Sequence, residues 1–172
     1  MKFCVFCFLI LLAGCSGHSD SRRAIGKHTY STDQHRLIAL RDSLAVEYNS
    51  ATSPIRRQLL LLQYQQRLDN FLSHHPIDSI YVTVDAVLVN GRRVTTKMHH
   101  QNIQFQYGLT FNGSMSPRLD SIYAFVKGLK KGSDVLVNLS YTGACQVNPP
   151  DSGNLPVFKI FAFPVPLQYT GK

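Results

Sequence analysis

The amino-acid sequence predicts an α+β protein: an N-terminal pair of helices followed by a small barrel of five antiparallel strands, with one helix between strands three and four. Up to residue 73, apolar residues recur at intervals of three and four, the period of one helix face. From residue 79 onward they alternate with polar residues, the period of a half-buried strand. The chain has 172 residues, enough to bury a core of ordinary size.

Two helices are expected before the strands, separated by a break at Ser53-Pro54. The first covers Thr32 to Ser50, and the second covers residues 54–73, because proline suits the first turn of a helix. The apolar stripe of the first helix consists of Leu37, Leu40, Leu44 and Tyr48.

The second helix carries more apolar residues than one stripe requires. Its residues 59–62 are four consecutive leucines, and four consecutive helical positions cover all sides of a helix. At least one leucine therefore faces away from any single neighbour, and packs under the barrel, against the first helix or on another protein. Since large exposed apolar patches often mark interfaces, we predict that residues 55–71 mediate self-association or docking to another protein. The predicted contact residues are Leu60, Leu61, Tyr64 and Leu68.

The strands are separated by recognisable turns. Asn90-Gly91 predicts a two-residue hairpin with a type I′ turn, which needs positive φ at both central residues. The predicted helix has Ser116 as its N-cap, runs from Pro117 and stops at Gly128. Five strands are predicted, over 79–89 with a bulge, 92–98, 103–111, 135–141 and 157–163, and Pro164 and Pro166 end the last one. The predicted connections are a loop over 99–102, a turn over 129–132 and a long loop over 143–156.

Over residues 79–163 this order of elements resembles the OB barrel, in which a helix lies between the third and fourth strands. The alternative is an open antiparallel sandwich with one helix. The resemblance leaves the function open, because OB barrels bind oligonucleotides, sugars, peptides and proteins. The strand aromatics fit either the core or a stacking platform for a ligand; they are Phe105, Tyr107, Phe111, Phe158, Phe161 and Phe163.

The start of the chain has the pattern of an export signal. Lys2 precedes an apolar run over residues 3–12, which is too short to span a bilayer as a helix. The run ends in Leu12-Ala13-Gly14-Cys15, which resembles the lipobox of bacterial lipoproteins. The resemblance implies cleavage before Cys15 and acylation of that cysteine. The alternative is an ordinary signal peptide.

On the lipoprotein interpretation, residues 1–14 are a signal peptide, 15–31 a lipidated tether, 32–75 a helical segment and 76–172 an OB-like β domain. The protein would then be anchored in the bilayer through Cys15, on the outer membrane facing the periplasm. Of the four cysteines only Cys145 would remain as a free thiol. The formal charge of +8 is spread along the chain, and an export signal argues against nucleic acid as a partner.

The sequence predicts no catalytic site, cofactor or metal site. The pairs His74-His75 and His99-His100 are expected in exposed loops without nearby ligands, and no Gly-x-Ser-x-Gly or phosphate-binding glycine motif occurs. We therefore predict a non-enzymatic, membrane-anchored binding or assembly module. The alternative is a periplasmic ligand-binding protein or enzyme that acts on a glycan or peptide. A short lipoprotein with a helical first half and a small β half also resembles accessory envelope components of Bacteroidota type VI secretion systems, which implies a trans-envelope complex as its partner.

Overall fold

The computed structural model of the chain describes residues 30–74, 77–110, 117–151 and 154–167. The predicted signal peptide, Cys15, most of the tether, His75 and the Ser116 cap lie outside the described residues. Within those ranges the elements are α1 (Thr32–Ser50), α2 (Pro54–His74), β1 (Ile77–Asn90), β2 (Arg93–His100), β3 (Ile103–Thr110), α3 (Pro117–Gly128), β4 (Asp134–Asn148) and β5 (Val157–Val165).

The three helices begin and end close to where the sequence predicts. The Ser31 hydroxyl caps α1 by accepting a hydrogen bond from the backbone N–H of Gln34, at 3.2 Å. After α1, the Arg57 guanidinium donates to the carbonyl oxygen of Ala51 at 2.9 Å, which fixes the turn into α2. The bounds predicted for α1 and α3 are confirmed, and α2 is one residue longer than predicted.

The strands form a closed barrel in the order β1-β2-β3-β5-β4, with β4 pairing back to β1. The prediction of a small five-stranded barrel with a helix between strands three and four is therefore confirmed. The prediction that it is wholly antiparallel is wrong, because β3 and β5 run parallel where Ile103 lies opposite Phe158. A closed ring with an odd number of strands cannot alternate direction at every seam, so at least one neighbouring pair must be parallel.

The hairpin between β1 and β2 has a different turn from the one predicted. Asn90 pairs with Arg93, so the two central residues are Gly91 and Arg92. Gly91 has φ of +57°, whereas Arg92 is not among the described residues with positive φ. Positive φ at the first central residue alone is the pattern of a type II′ turn, which takes glycine at that place.

Three loop predictions are corrected by longer strands. β2 continues through His100, which leaves a two-residue turn at Gln101-Asn102 in place of a loop over 99–102. β4 continues to Asn148, beyond the start of the loop predicted at 143, because a bulge between Tyr141 and Ala144 lets the pairing resume. β5 runs to Val165, beyond the proline at 164 that was predicted to end it.

The helices and the barrel share one hydrophobic core. Its fully buried members include Leu37 and Leu44 from α1, Leu68 from α2, and Phe105 and Phe158 from the strands. A smaller cluster under α3 consists of Val94, Ile122 and Val126. The segments predicted as 32–75 and 76–172 are therefore packed together as one folded unit in the described part of the chain.

A buried amide joins α1 to the barrel. Gln34 is fully buried; its Nε2 donates to the carbonyl oxygen of Tyr81, and its Oε1 accepts from the Tyr81 N–H, both at 3.1 Å. The pairing of β1 with β2 begins only at Thr83. Gln34 therefore extends the hydrogen bonding of β1 past the end of β2, which keeps the backbone groups of Tyr81 paired.

Candidate binding surfaces

The structure buries three of the four residues predicted to contact a partner. Leu60, Tyr64 and Leu68 are at most 4% exposed, and Leu61 is half-buried against the same core. The prediction that this set forms an interface is therefore wrong. Leu60, Tyr64 and Leu68 recur every four positions, and Leu72 continues the series. They form a buried stripe along α2 that packs on the chain itself.

Tyr64 links the buried face of α2 to other parts of the chain through its hydroxyl and its ring. Its hydroxyl donates to Oε1 of Glu47 at 2.6 Å, and the Arg67 guanidinium lies 4.7 Å from the centre of its ring. Burial, together with the hydrogen bond to Glu47, raises the pKa of the Tyr64 hydroxyl. The phenol is therefore a neutral donor that links α2 to α1.

The outer face of α2 carries the apolar residues that are free of the core. Ile55, Leu59 and Leu62 are 72%, 60% and 56% exposed and lie at helical spacings of four and three. We call these three residues the outer stripe. The stripe is continued by Gln66 and Asn70, both exposed and uncharged. The four leucines thus do cover all sides of the helix, but the exposed members are Leu59 and Leu62.

A signal for this arrangement was present in the sequence. The stripe through Leu60 and Tyr64 remains apolar to the end of α2, whereas the stripe through Leu59 changes to amides at Gln66 and Asn70. A stripe that stays apolar for a whole helix is typical of a core face. Comparing the lengths of the two apolar stripes would have assigned the longer one to the core and the shorter one, through Leu59, to the interface.

The outer face of β2 and β3 is polar and basic. Along β2, Arg93 and Lys97 are exposed while the residues between them alternate into the core. Lys97 lies opposite Gln106 on β3, and Arg93 lies opposite Thr110. A Cβ at position 108 would lie 3.3 Å from Oγ1 of Thr95 and 3.6 Å from the Arg93 guanidinium, so Gly108 avoids a tight contact with Thr95. This face offers hydrogen bonds and positive charge to polar surfaces.

The strand aromatics divide between the core and its margin. Phe105 and Phe158 are fully buried, so they cannot stack on a ligand. Tyr107 and Phe163 form an edge-to-face pair with ring centres 5.5 Å apart, and Phe163 packs against the cluster under α3. Phe111 lies outside the described residues. Phe105 and Phe158 are therefore core residues, whereas Tyr107, Phe161 and Phe163 are half-buried at the margin of the core.

The histidines predicted in loops have structured surroundings. His99 and His100 are consecutive residues on β2 rather than in a loop, and His99 Nδ1 lies 2.7 Å from Oδ1 of Asp85. His100 is half-buried, its Nε2 has no hydrogen-bond partner among the described residues, and Tyr30 packs edge-on against its ring. Burial, and then the positive charge of Arg41, lowers the pKa of His100.

Cys145 is buried beside a tyrosine–carboxylate pair. The Tyr141 hydroxyl donates to Oδ1 of Asp69 at 2.5 Å, and the Cys145 thiol lies 3.8 Å from the carbonyl oxygen of Gln65. Burial raises the pKa of the Cys145 thiol and of the Tyr141 phenol. A thiol held protonated is a poor nucleophile. The Tyr141–Asp69 hydrogen bond and the contact of Cys145 with Gln65 tie α2 to β4.

Within the described residues, no three His, Cys, Asp or Glu side chains come close enough together to hold a metal ion. No described helix combines the length and the apolar character needed to cross a membrane. Compared with known protein families, curated proteins and solved structures, the chain matches none of them.

Proposed function

We infer that this protein is a lipid-anchored, periplasm-facing lipoprotein of the bacterial envelope that acts as a non-enzymatic assembly module. The observation that carries the assembly role is the outer stripe of α2. Three large aliphatic side chains stand exposed there, while the opposite side of the same helix is buried in the chain's own core. Apolar side chains grouped on one exposed face are a typical centre of a protein interface.

The residues directly beside the stripe suit a protein partner. Gln58, Gln63 and Gln66 are exposed there and uncharged, while the exposed arginines of α2, Arg56, Arg57 and Arg67, lie further round the helix. An apolar centre bordered by amides is suited to a second helix or a groove, because amides pair with backbone and side-chain groups at an interface rim.

The anchor is supported by the Leu12-Ala13-Gly14-Cys15 motif. Two or more acyl chains on Cys15 would hold the folded unit at the outer membrane, since each buried CH₂ contributes about 0.8 kcal/mol. Replacing Cys15 by alanine should abolish labelling with a radioactive fatty acid and leave an uncleaved precursor. Label retained in the Cys15→Ala protein would contradict the anchor.

The partner class follows from the two resemblances found in the sequence. A helix between the third and fourth strands of a five-stranded barrel is the arrangement that the OB resemblance implies, which supports an OB-like barrel as the scaffold for α1 and α2. The resemblance to type VI accessory lipoproteins suggests a trans-envelope secretion complex as the assembly that the outer stripe joins.

The interface can be tested with two leucines of equal exposure. Leu59 in the stripe and Leu88 on β1 are each 60% exposed. A photo-reactive amino acid at position 59 of the full chain, in cells that produce the protein naturally, should crosslink to one defined envelope protein or to a second copy. The same probe at position 88 should not. Equal products at both positions, or none at 59, would contradict the assembly role.

A substitution test complements the crosslinking. The double variant Leu59→Glu, Leu62→Glu should lose recovery of the crosslinked partner in a pull-down and should unfold at the parental midpoint, because both side chains are exposed. Leu88→Glu is the matched control and should retain the partner. Undiminished recovery by the double variant would contradict the outer stripe as the binding surface.

A further inference from the structure

A polar cleft of about 380 Å³ lies where the turn between β2 and β3 meets the connection between β4 and β5. Its polar lining consists of four amide side chains and one carboxylate, which are Gln101, Asn102, Gln104, Asn154 and Asp151. Leu155 and Val157 complete the lining on one side. The volume lies near the lower end of small-molecule sites, which span about 300–1,000 Å³.

The walls of the cleft are held in place by hydrogen bonds to the rest of the fold. Asn102 Nδ2 donates to the carbonyl oxygen of Leu155 at 3.2 Å, and the Asn102 carbonyl accepts from the Phe158 N–H at 3.1 Å. Asn49 Nδ2, on α1, donates to the carbonyl oxygen of Asn154 at 3.0 Å. These bonds fix Asn102 and the backbone of Asn154 and Leu155 without a ligand, so little conformational entropy is lost there when one binds.

Gln101 occupies a backbone position that favours glycine. Its φ is +52° at the first central residue of a two-residue hairpin, where a type II′ turn normally has glycine. A non-glycine residue in that conformation is strained, and such strained residues cluster at ligand sites. The buried Arg41 donates from Nη1 to Oε1 of Gln101 at 2.7 Å. Arginine has no acceptor, so this bond fixes the amide orientation and leaves Nε2 as the group available to a ligand.

The functional groups of the cleft select a class of ligand. Gln101 presents donors, Asn102 presents its Oδ1 acceptor and the second hydrogen of its Nδ2, and the Asp151 carboxylate can only accept. No basic side chain is among the residues that line the cleft in the described part of the chain, and the neighbouring Arg41 is paired with Asp42, so the lining with its one carboxylate favours a neutral ligand over an anion. Neighbouring donors and acceptors match hydroxyl groups, which do both.

We propose that this cleft binds a neutral saccharide of monosaccharide to disaccharide size. Its hydroxyls pair with the amides and with Asp151, and the C–H face of a sugar ring packs on Leu155 and Val157. The proposal is independent of the outer stripe and of the lipid anchor, because none of the lining residues belongs to α2 or to the N-terminal segment. Failure of either proposal leaves the other standing.

The test is a titration of the full-length ¹⁵N-labelled chain, kept in solution with a polyoxyethylene detergent, which has no sugar headgroup. Glucose, N-acetylglucosamine, cellobiose and diacetylchitobiose are added up to about 50 mM, since small ligands with few contacts bind in the millimolar range. The side-chain amide signals of asparagine and glutamine report on the cleft directly. At least one sugar should cause saturable shifts, and glucuronate and alanyl-alanine should cause smaller ones.

Two exposed glutamines on the same face of β3 provide the matched variants. Gln104 lines the cleft, whereas Gln106 lies two residues further along and outside it. Gln104→Ala should weaken the Kd for the best sugar by roughly 2- to 10-fold, the value of one lost hydrogen bond. Gln106→Ala should leave the Kd unchanged. Three results would overturn the assignment: no saturable shift with any sugar, equal effects of both variants, or preferential binding of glucuronate or alanyl-alanine.

Discussion

Replacing Gln34 by methionine should reduce the free energy of unfolding by about 2–3 kcal/mol. Methionine keeps the length and volume of the buried side chain but removes both hydrogen bonds to the backbone of Tyr81. A buried group that loses its partner costs about 1–3 kcal/mol. Because the backbone of Tyr81 is only partly buried, each of its two groups is expected to cost about 1–1.5 kcal/mol, the lower end of that range.

Alanine at the same position separates packing from hydrogen bonding. Gln34→Ala should cost about 2–5 kcal/mol more than Gln34→Met, because alanine lacks three heavy atoms of the buried methionine side chain and leaves a cavity. Gln63→Met on the exposed side of α2 is the control and should change stability by less than about 0.5 kcal/mol.

The measurement is denaturant unfolding followed by far-ultraviolet circular dichroism, since the chain has no tryptophan for fluorescence. For a protein of this size a loss of 2–3 kcal/mol corresponds to a Tm lower by about 4–12 °C. If Gln34→Met unfolds within about 0.5 kcal/mol of the parent, the amide does not extend the β1 pairing, and the account of that junction is refuted.

Three further perturbations test other parts of the fold. Gly91→Val should lower stability by about 1–3 kcal/mol, because φ of +57° strains a β-branched residue, and an unchanged denaturant midpoint would refute the turn assignment. The pKa of His100 is lowered on folding, so the unfolded chain binds more protons than the folded chain as pH falls through about 6.5. The contribution of His100 therefore leaves the free energy of unfolding unchanged above that pH and reduces it below. His100→Phe should remove this part of the pH dependence, and parallel pH profiles for parent and variant would exclude His100 as its source. Tyr141→Phe should cost about 1–2 kcal/mol through the lost bond to Asp69, and a double-mutant cycle with Asp69→Ala that gives no coupling would contradict that bond.

The elements that the sequence predicted well are those with strong local signals. Pro117 and Gly128 bound α3 because proline fits the first helical turn and glycine commonly ends a helix. The type of hairpin turn at Gly91 was not predicted because it depends on which residues form the last pair between β1 and β2. That register is decided by the whole pair of strands, and Asn90 turned out to be paired rather than central.

Elsewhere, contacts between residues far apart in the chain limited what the sequence could predict. Gly143 was interpreted as the start of a loop, yet its φ of +83° occurs in a bulge after which Cys145 pairs with Ile160 on β5. The amide-lined cleft could not be found from spacing, because Gln101 and Asp151 come from separate turns that only the closed barrel brings together. The choice between the two faces of α2 depended on where the barrel packs.

The parallel seam between β3 and β5 has a consequence for how the protein is made. β5 is the last described strand along the chain, and it closes the barrel on both sides by pairing with β3 and β4. A ribosome or a translocation channel delivers it last, so until then two strand edges expose unpaired N–H and C=O groups that attract other chains. The unfinished barrel is therefore open to pairing with other chains until residue 157 has emerged. A product truncated before β5 would aggregate or be degraded rather than persist as a partial fold.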